Sequence, residues 1–289
     1  MSKSNRNLVA LLREGEKLLS PKFFYFKSYL LKKRKYLLDL LYMKIDDSKN
    51  KQDLQQLIDT QQFVEHISVD CTIFGFDNGI LKVLLLKYHD LDVWSLPGGF
   101  IFNDEDLSDA ASRVLYERTH LSDTFLEQFH TFGQINRTAN NAHQILLKHK
   151  NIEIPPDHWI FQRFITVGYC SLIDFNLAGT FPNSLNETCA WFEVNKLPKL
   201  AFDHERIIEV GLNHIRKNID TQIVANNLLP EKFTMKDLQT VYETVLDEKY
   251  RRNNFQRKIL ALNILERLEK FFDGSANKAP YLYRFRRKN

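Results

Sequence analysis

The sequence predicts an α+β protein: a sheet-rich sandwich holding one well-marked helix, then a helix-turn-helix with a β-hairpin wing, all preceded by a helical N-terminal extension. Three observations carry this reading. Short β-branched and aromatic runs begin at Ile67 and recur as far as TCAWFEV, interrupted by one helical pattern after Asp106. A capped helix pattern at Thr234 is followed by a turn, a second helical pattern and a closing pair of strands. Apolar residues at three- and four-residue spacing fill most of residues 5–65. A chain of 289 residues can hold two folded units, and its 44% hydrophobic content excludes a disordered one. The expected division is a basic helical extension at 1–67, a sandwich domain at 68–200, and a linker helix with the helix-turn-helix domain at 201–289.

In the extension, Leu8, Leu11 and Leu12 precede a break at Pro21, and Leu30, Leu31, Leu37, Leu38 and Leu41 follow it. The stretch FFYFKSYLLKKRKYLLDLLYM carries Lys27, Lys32, Lys33, Arg34, Lys35 and Asp39, too many charges for the roughly 20 residues of a membrane span. It is expected to pack on its own protein and leave its lysines in water, with no membrane partner. After DDSKNKQD a further short helix is expected to end before Ile67.

ISVDCTIFGF and ILKVLLLKY flank Asp-Asn-Gly, and Asn-Gly accepts the positive φ of a tight hairpin turn. FHTFGQI, WIFQRFITVGYCSLIDF and TCAWFEV read as further strands, with NRTANNAHQILLKHKNIEIPPDH inserted between two of them. A helix follows in LAFDHERIIEVGLNHIRKNI, with Asp203 as N-cap and Ile207, Ile208, Leu212 and Ile215 on one face. Thr234 caps the next helix, with Asp237 at N3 and Phe233 placed to staple onto Leu238. Phe255, Ile259 and Leu262 form the core face of the second helix in YRRNNFQRKILAL. ILERLEKFF, DGSANKAP and YLYRFRR close the chain as a hairpin.

The net charge of +4 is segregated. Residues 68–229 carry 13 Lys/Arg against 20 Asp/Glu, whereas residues 230–289 carry 14 against 8, a candidate footprint for a phosphate backbone. Cys71, Cys170 and Cys189 lie in apolar surroundings without a CxxC pair, which predicts reduced thiols in a cytoplasmic protein rather than disulfides or a zinc site. The first 20 residues are interrupted by Arg6, Arg13, Glu14, Glu16 and Lys17 and do not read as a signal peptide.

The most specific spacing lies in WSLPGGFIFNDEDLSDAASRVLYERTHL. It resembles the Nudix box, G, five residues, E, seven residues, REUxEExGU, which binds divalent metal against a diphosphate. Gly98, Gly99, Glu105 and Arg113 keep the pattern. The three following glutamate positions are Val114, Glu117 and Arg118, and the box glycine is His120. Hard cations need several carboxylate oxygens, so this degenerate box predicts no metal site, no resident cofactor and no catalytic residue. Arg113 and Glu117 are i, i+4 and suit a scaffold pair, with Glu105 orienting the loop. Asp104, Asp106 and Asp109 favour the helix dipole.

In the basic end, Lys236, Arg251, Arg252, Asn253, Gln256, Arg257 and Lys258, with Lys278 and Arg284 on the wing, suit base edges and phosphates of double-stranded DNA. FGFDNGILKVLLLK, WSLPGGFIF, FITVGYCSLI, WFEVNKLPKLAFDHERII and LLPEKFTMKDLQTVYETVL with NNFQRKI look like the Nudix-related transcriptional regulators, in matching order over about 68–289. The resemblance implies a Nudix α/β/α sandwich that senses a small molecule, joined to a winged helix, acting as a homodimer on a palindromic operator. It implies an effector that is ADP-ribose or a sugar such as a pentose, with Gly98, Arg113, Glu117, Arg118 and Arg137 as candidate pocket residues. The weakened metal chemistry favours the sugar, while the arginines favour an anion. The alternative is a Nudix hydrolase of nucleoside diphosphate derivatives. The extension and the insertion after Arg137 depart from the family pattern.

Overall fold

A computed structural model describes residues 63–77, 79–87, 92–122, 124–137, 155–175, 188–221, 228–272 and 279–286. The helical reading of residues 1–62, the insertion from residue 138 to 154 and Lys278 lie outside the described residues.

Seven strands form one mixed sheet: β1 (Phe63–Asp77), β2 (Ile80–Lys87), β3 (Trp94–Ser95), β4 (Gly98–Phe102), β5 (Glu127–Phe132), β6 (Ile165–Asp174) and β7 (Thr188–Glu193). The path runs β3-β2-β1-β6-β5, with β4 paired to β1 and β7 to β2. β1 and β2 form the expected antiparallel hairpin, closed at Gly79 with φ 80°. β1 lies parallel to β6 from Ile67↔Ile165 to Phe76↔Asp174. It is therefore covered on both faces, and that is why its sequence is a continuous apolar run rather than an alternating one.

The helix α1 (Leu107–Thr119) covers one face, packing Ala110, Ala111, Val114 and Leu115 against Val69, Cys71, Ile73 and Leu84. On the other face α2 (His204–Lys217) packs Ile207, Ile208 and Ile215 in one cluster with Phe74, Val83, Leu85 and Leu172. Alternate residues of each strand thus feed opposite faces, giving an α/β/α sandwich.

Beyond α2 come β8 (Phe233–Thr234), α3 (Met235–Leu246), α4 (Arg252–Ala261), β9 (Leu265–Lys270) and β10 (Tyr281–Phe285), with β8-β10-β9 as a small sheet. This is a winged helix. The Thr234 hydroxyl accepts from the Asp237 amide at 3.3 Å and Asp237 accepts from the Thr234 amide at 2.9 Å, completing the capping box. Phe255 and Ile259 are fully buried with Leu238, Val241, Tyr242 and Val245.

Three sequence expectations are corrected, and the N-cap of α2 is found with one difference. Residues 63–66 are strand, not the end of a helix, because a register shift between Phe63 and Ser68, with His66 at φ 63°, lets Phe63 pair with Phe102. Trp159–Phe161 is a 3-10 turn instead of strand, capped by the His158 ring. Leu262 ends α4 and is 38% exposed, so the core face of α4 is Phe255 and Ile259 alone. Asp203 does occupy the N-cap of α2 but makes no side-chain cap bond, because its carboxylate is held elsewhere.

Candidate functional site

The glycine turn is set by β1. The Cys71 amide donates to the Pro97 carbonyl at 2.8 Å, and the Gly98 backbone lies against the Asp70 carboxylate so closely that an added Cβ would come within 2.2 Å of Oδ1. Only glycine fits there.

From that turn the chain crosses to α1, where Arg113 is the centre. Its Nε donates to Glu105 Oε2 at 2.9 Å, Nη2 to Glu105 Oε1 at 2.5 Å and to the Phe100 carbonyl at 2.8 Å, and Nη1 to Glu117 Oε2 at 3.0 Å. Glu105 also accepts from the Phe102 amide at 2.7 Å, which folds the loop back onto β4. The fork raises the Arg113 pKa against the opposing effect of burial, through bonds and charge from Glu105 and Glu117. Arg113 is thus held in the scaffold by Glu105 and Glu117, the latter being the i, i+4 pair that the sequence suggests. Val114 is fully buried in the core.

The donor set does not fit a divalent cation. Glu105 and Glu117 are both closed on Arg113, Val114 has no donor atom, and the buried Arg118 brings positive charge to the glycine turn, its Nη2 3.5 Å from the Gly98 carbonyl. Two carboxylates and two guanidinium groups leave no net charge to hold the ion. Among the described residues no group of three His, Cys, Asp or Glu could hold a metal. The box glycine proves to be the position after α1 in left-handed conformation: His120 takes φ 57° and its amide donates to the Tyr116 carbonyl.

Arg137 is held by a similar fork. It is buried, and its fork closes on Asp203, Nε to Oδ2 at 3.1 Å and Nη2 to Oδ1 at 2.8 Å. Asp70 faces this pair, 3.7 Å from Arg137 Nη2 and 3.6 Å from His204 Nε2, and His204 Nδ1 accepts the Leu96 amide at 2.9 Å. Burial pushes the His204 pKa down, against the charges of Asp70 and Asp203, which pull it up. Of the five candidate pocket residues, Gly98 and Arg118 meet at the turn, Arg113 and Glu117 pair on α1, and Arg137 pairs with Asp203.

In the winged helix, α4 presents Arg252, Asn253 and Arg257 to solvent, with Arg251 at its N-cap and Gln256 half-buried. Lys236 is exposed on α3. Lys258 is exposed as well, 3.4 Å from Asp220 and over the rings of Tyr242 and Tyr250. Arg284 pairs with Glu266 across the wing at 2.8 Å. The turn between α3 and α4 is organised by Glu243, which accepts from Gln239 Nε2 at 2.8 Å, the Tyr250 amide at 3.0 Å and Lys249 Nζ at 3.1 Å. These donors lower its pKa to about 2.

Asp70, His204 and Glu243 escaped the sequence reading. Asp70 sits in an apolar strand where a carboxylate needs a partner, and that was the one available signal. His204 and Glu243 find their partners 108 and 7 residues away, across a turn or a sheet. Among the described residues no helix is long and apolar enough to cross a membrane.

Comparison with known families matches residues 64–210 to the NUDIX domain and residues 225–285 to the NrtR DNA-binding winged helix domain. The chain is 28% identical over 227 residues to the ADPR responsive transcriptional repressor NtrR of Acinetobacter baylyi, covering 76% of this chain and 81% of that protein. It is similar to the crystal structure of Shewanella oneidensis NrtR, at 26% identity and TM-score 0.56, covering 77% of this chain and 94% of the other. The same fold is found in Shewanella oneidensis NrtR complexed with a 27mer DNA, at 24% identity and TM-score 0.57, with 77% and 94% coverage.

Proposed function

We propose that this chain, which belongs to the NUDIX family and carries a winged helix of the NrtR DNA-binding type, is a transcriptional repressor whose sandwich domain responds to ADP-ribose. The observation that carries the reading is the contrast between its two sites: the metal helix is neutralised by Arg113 and Arg118, while α4 offers Arg252, Asn253 and Arg257 to solvent. The response of the Acinetobacter baylyi relative to ADPR supports ADP-ribose over the sugar that the weakened metal chemistry favours. Gly98 and Arg118, which meet at the glycine turn, are the residues proposed to border its site. Residues 68–200 would serve as the sensor and 201–289 as the linker helix and DNA reader. The proposal includes a cytoplasmic homodimer on a palindromic operator, since a two-fold protein would read two half-sites a helical turn apart.

The test is fluorescence anisotropy with duplexes taken from upstream of its own gene, at low salt, with and without ADP-ribose. The reading expects binding that falls steeply with salt and weakens on adding ADP-ribose. A thermal-shift screen of pentoses, sugar phosphates and ADP-ribose identifies the ligand, because binding to the native state alone raises its stability. Turnover of ADP-ribose with Mg2+ or Mn2+ that Glu117→Gln abolishes would favour a hydrolase instead.

A further inference from the structure

A buried cluster of charges lies between the glycine turn and the start of α2, separate from the α1 carboxylates. Arg137 forks onto Asp203, Asp70 faces both Arg137 and His204, and His204 holds the Leu96 amide. The side chains of Arg137, Asp203, Asp70 and His204 are 4%, 12%, 9% and 4% exposed. A buried set of this kind is seldom more stabilising than apolar packing of the same volume. What it does supply is a defined position, because charges in the interior tolerate few arrangements.

The cluster joins four separate segments: β1 through Asp70, the approach to the glycine turn through Leu96, the turn after β5 through Arg137, and the first residues of α2 through Asp203 and His204. At its other end α2 reaches the winged helix. Arg216 Nε donates to the Val245 carbonyl at 2.9 Å, the Tyr242 hydroxyl donates to the Ile219 carbonyl at 3.4 Å, and Ile215 and Ile219 share a core with Leu238, Tyr242 and Val245. The contact at Gly98 completes the connection. With Asp70 Oδ1 only 2.2 Å from where a Gly98 Cβ would stand, the turn cannot move toward β1 without displacing Asp70.

Resting on the reading of the protein as an ADP-ribose-responsive repressor, we propose that the Arg137–Asp203 fork, with Asp70 and His204, is the latch through which a ligand at the Gly98 turn repositions α2 and the DNA-reading helix. Arg137 and Asp203 are then positioning residues for the response, acting without touching ligand or DNA. Close-packed interiors pass such a displacement on rather than absorb it, and the ligand must bind the two latch arrangements unequally to produce it.

The experiment uses the full chain and the variants Asp203→Asn and Arg137→Lys, which keep volume but lose charge or the planar fork. Three quantities are read for each: thermal midpoint, ADP-ribose Kd by calorimetry, and operator Kd with and without saturating ADP-ribose. Wild type is expected to lose operator affinity by roughly fivefold or more with ADP-ribose, the usual scale of coupling between sites. Both variants are expected to bind operator and ADP-ribose within about fivefold of wild type while the coupling falls below about twofold. Folded variants with wild-type coupling overturn the latch. If both variants fail to fold, the cluster is structural and the latch is again overturned. A wild-type protein that binds operator and ADP-ribose with no coupling overturns the latch but leaves the binding activities standing. One that binds neither overturns the functional reading and the latch together.

Discussion

Glu117 meets Arg113 one helical turn later on α1, Oε2 to Nη1 at 3.0 Å, with both side chains less than a tenth exposed. A residue that could have been a metal ligand is thereby the counter-charge of a buried arginine. Arg113→Met leaves Glu105 and Glu117 without that partner in the interior, and removing one member of a buried pair costs about 3–5 kcal/mol. Urea unfolding of this variant should show a midpoint well below wild type. Glu117→Gln keeps an acceptor and should lose only about 1–3 kcal/mol, with operator binding unchanged.

Neighbouring cations on α4 should behave differently. Both Arg257 and Lys258 are exposed, but Lys258 is also held 3.4 Å from Asp220 and over two tyrosine rings. Arg257→Ala should weaken operator binding by about 1–3 kcal/mol if it reads a base, or lower the salt slope by about one if it contacts a phosphate. Lys258→Ala should leave the salt slope unaltered. Anisotropy titrations across a range of salt distinguish them, and equal losses in both variants would refute the assignment.

Glu243 ties the two helices of the DNA reader together, and its donors hold its pKa at about 2, below the usual carboxylate value of 4.5. Its contribution is complete above pH 4.5 and is lost as pH falls through about 2, since the unfolded chain takes the proton first. Glu243→Ala should flatten the pH dependence of the urea midpoint on the acid side of pH 4.5. At neutral pH it should cost about 1–3 kcal/mol.

His204 works in the opposite pH region. Burial lowers its pKa below 6.5, so protonation opposes folding. Stability from the neutral ring is complete above pH 6.5 and declines as pH falls below that value. His204→Asn retains an acceptor near the Nδ1 position for the Leu96 amide and should remove that decline, as read from thermal midpoints at a series of pH values.

The fold was legible wherever the signal was local. Asp77 to Ile80 announced the hairpin because Asn-Gly tolerates the turn. Thr234 and Asp237 announced α3 because a cap bonds within three residues. Phe63 was missed because its pairing with Phe102 depends on a register shift that no short window shows. Leu262 kept a helical spacing past the point where α4 ends.

The site divides along the same line. The glycine spacing, the lost carboxylates at Val114 and Arg118, and the basic face of α4 were determined by the sequence, since each is a matter of residue type at a set interval along one element. The pairing of Arg113 with Glu117 was legible too, as an i, i+4 spacing, whereas the partners of Arg137 and Lys258 were decided only by the tertiary structure. An ion pair depends on distance and on exclusion of water. Closing the sheet brings Asp203, 66 residues away, onto Arg137, and packing α2 against the winged helix brings Asp220 to Lys258. Arg113 and Arg137 are buried in ion pairs, while Lys258 pairs with Asp220 and stays exposed.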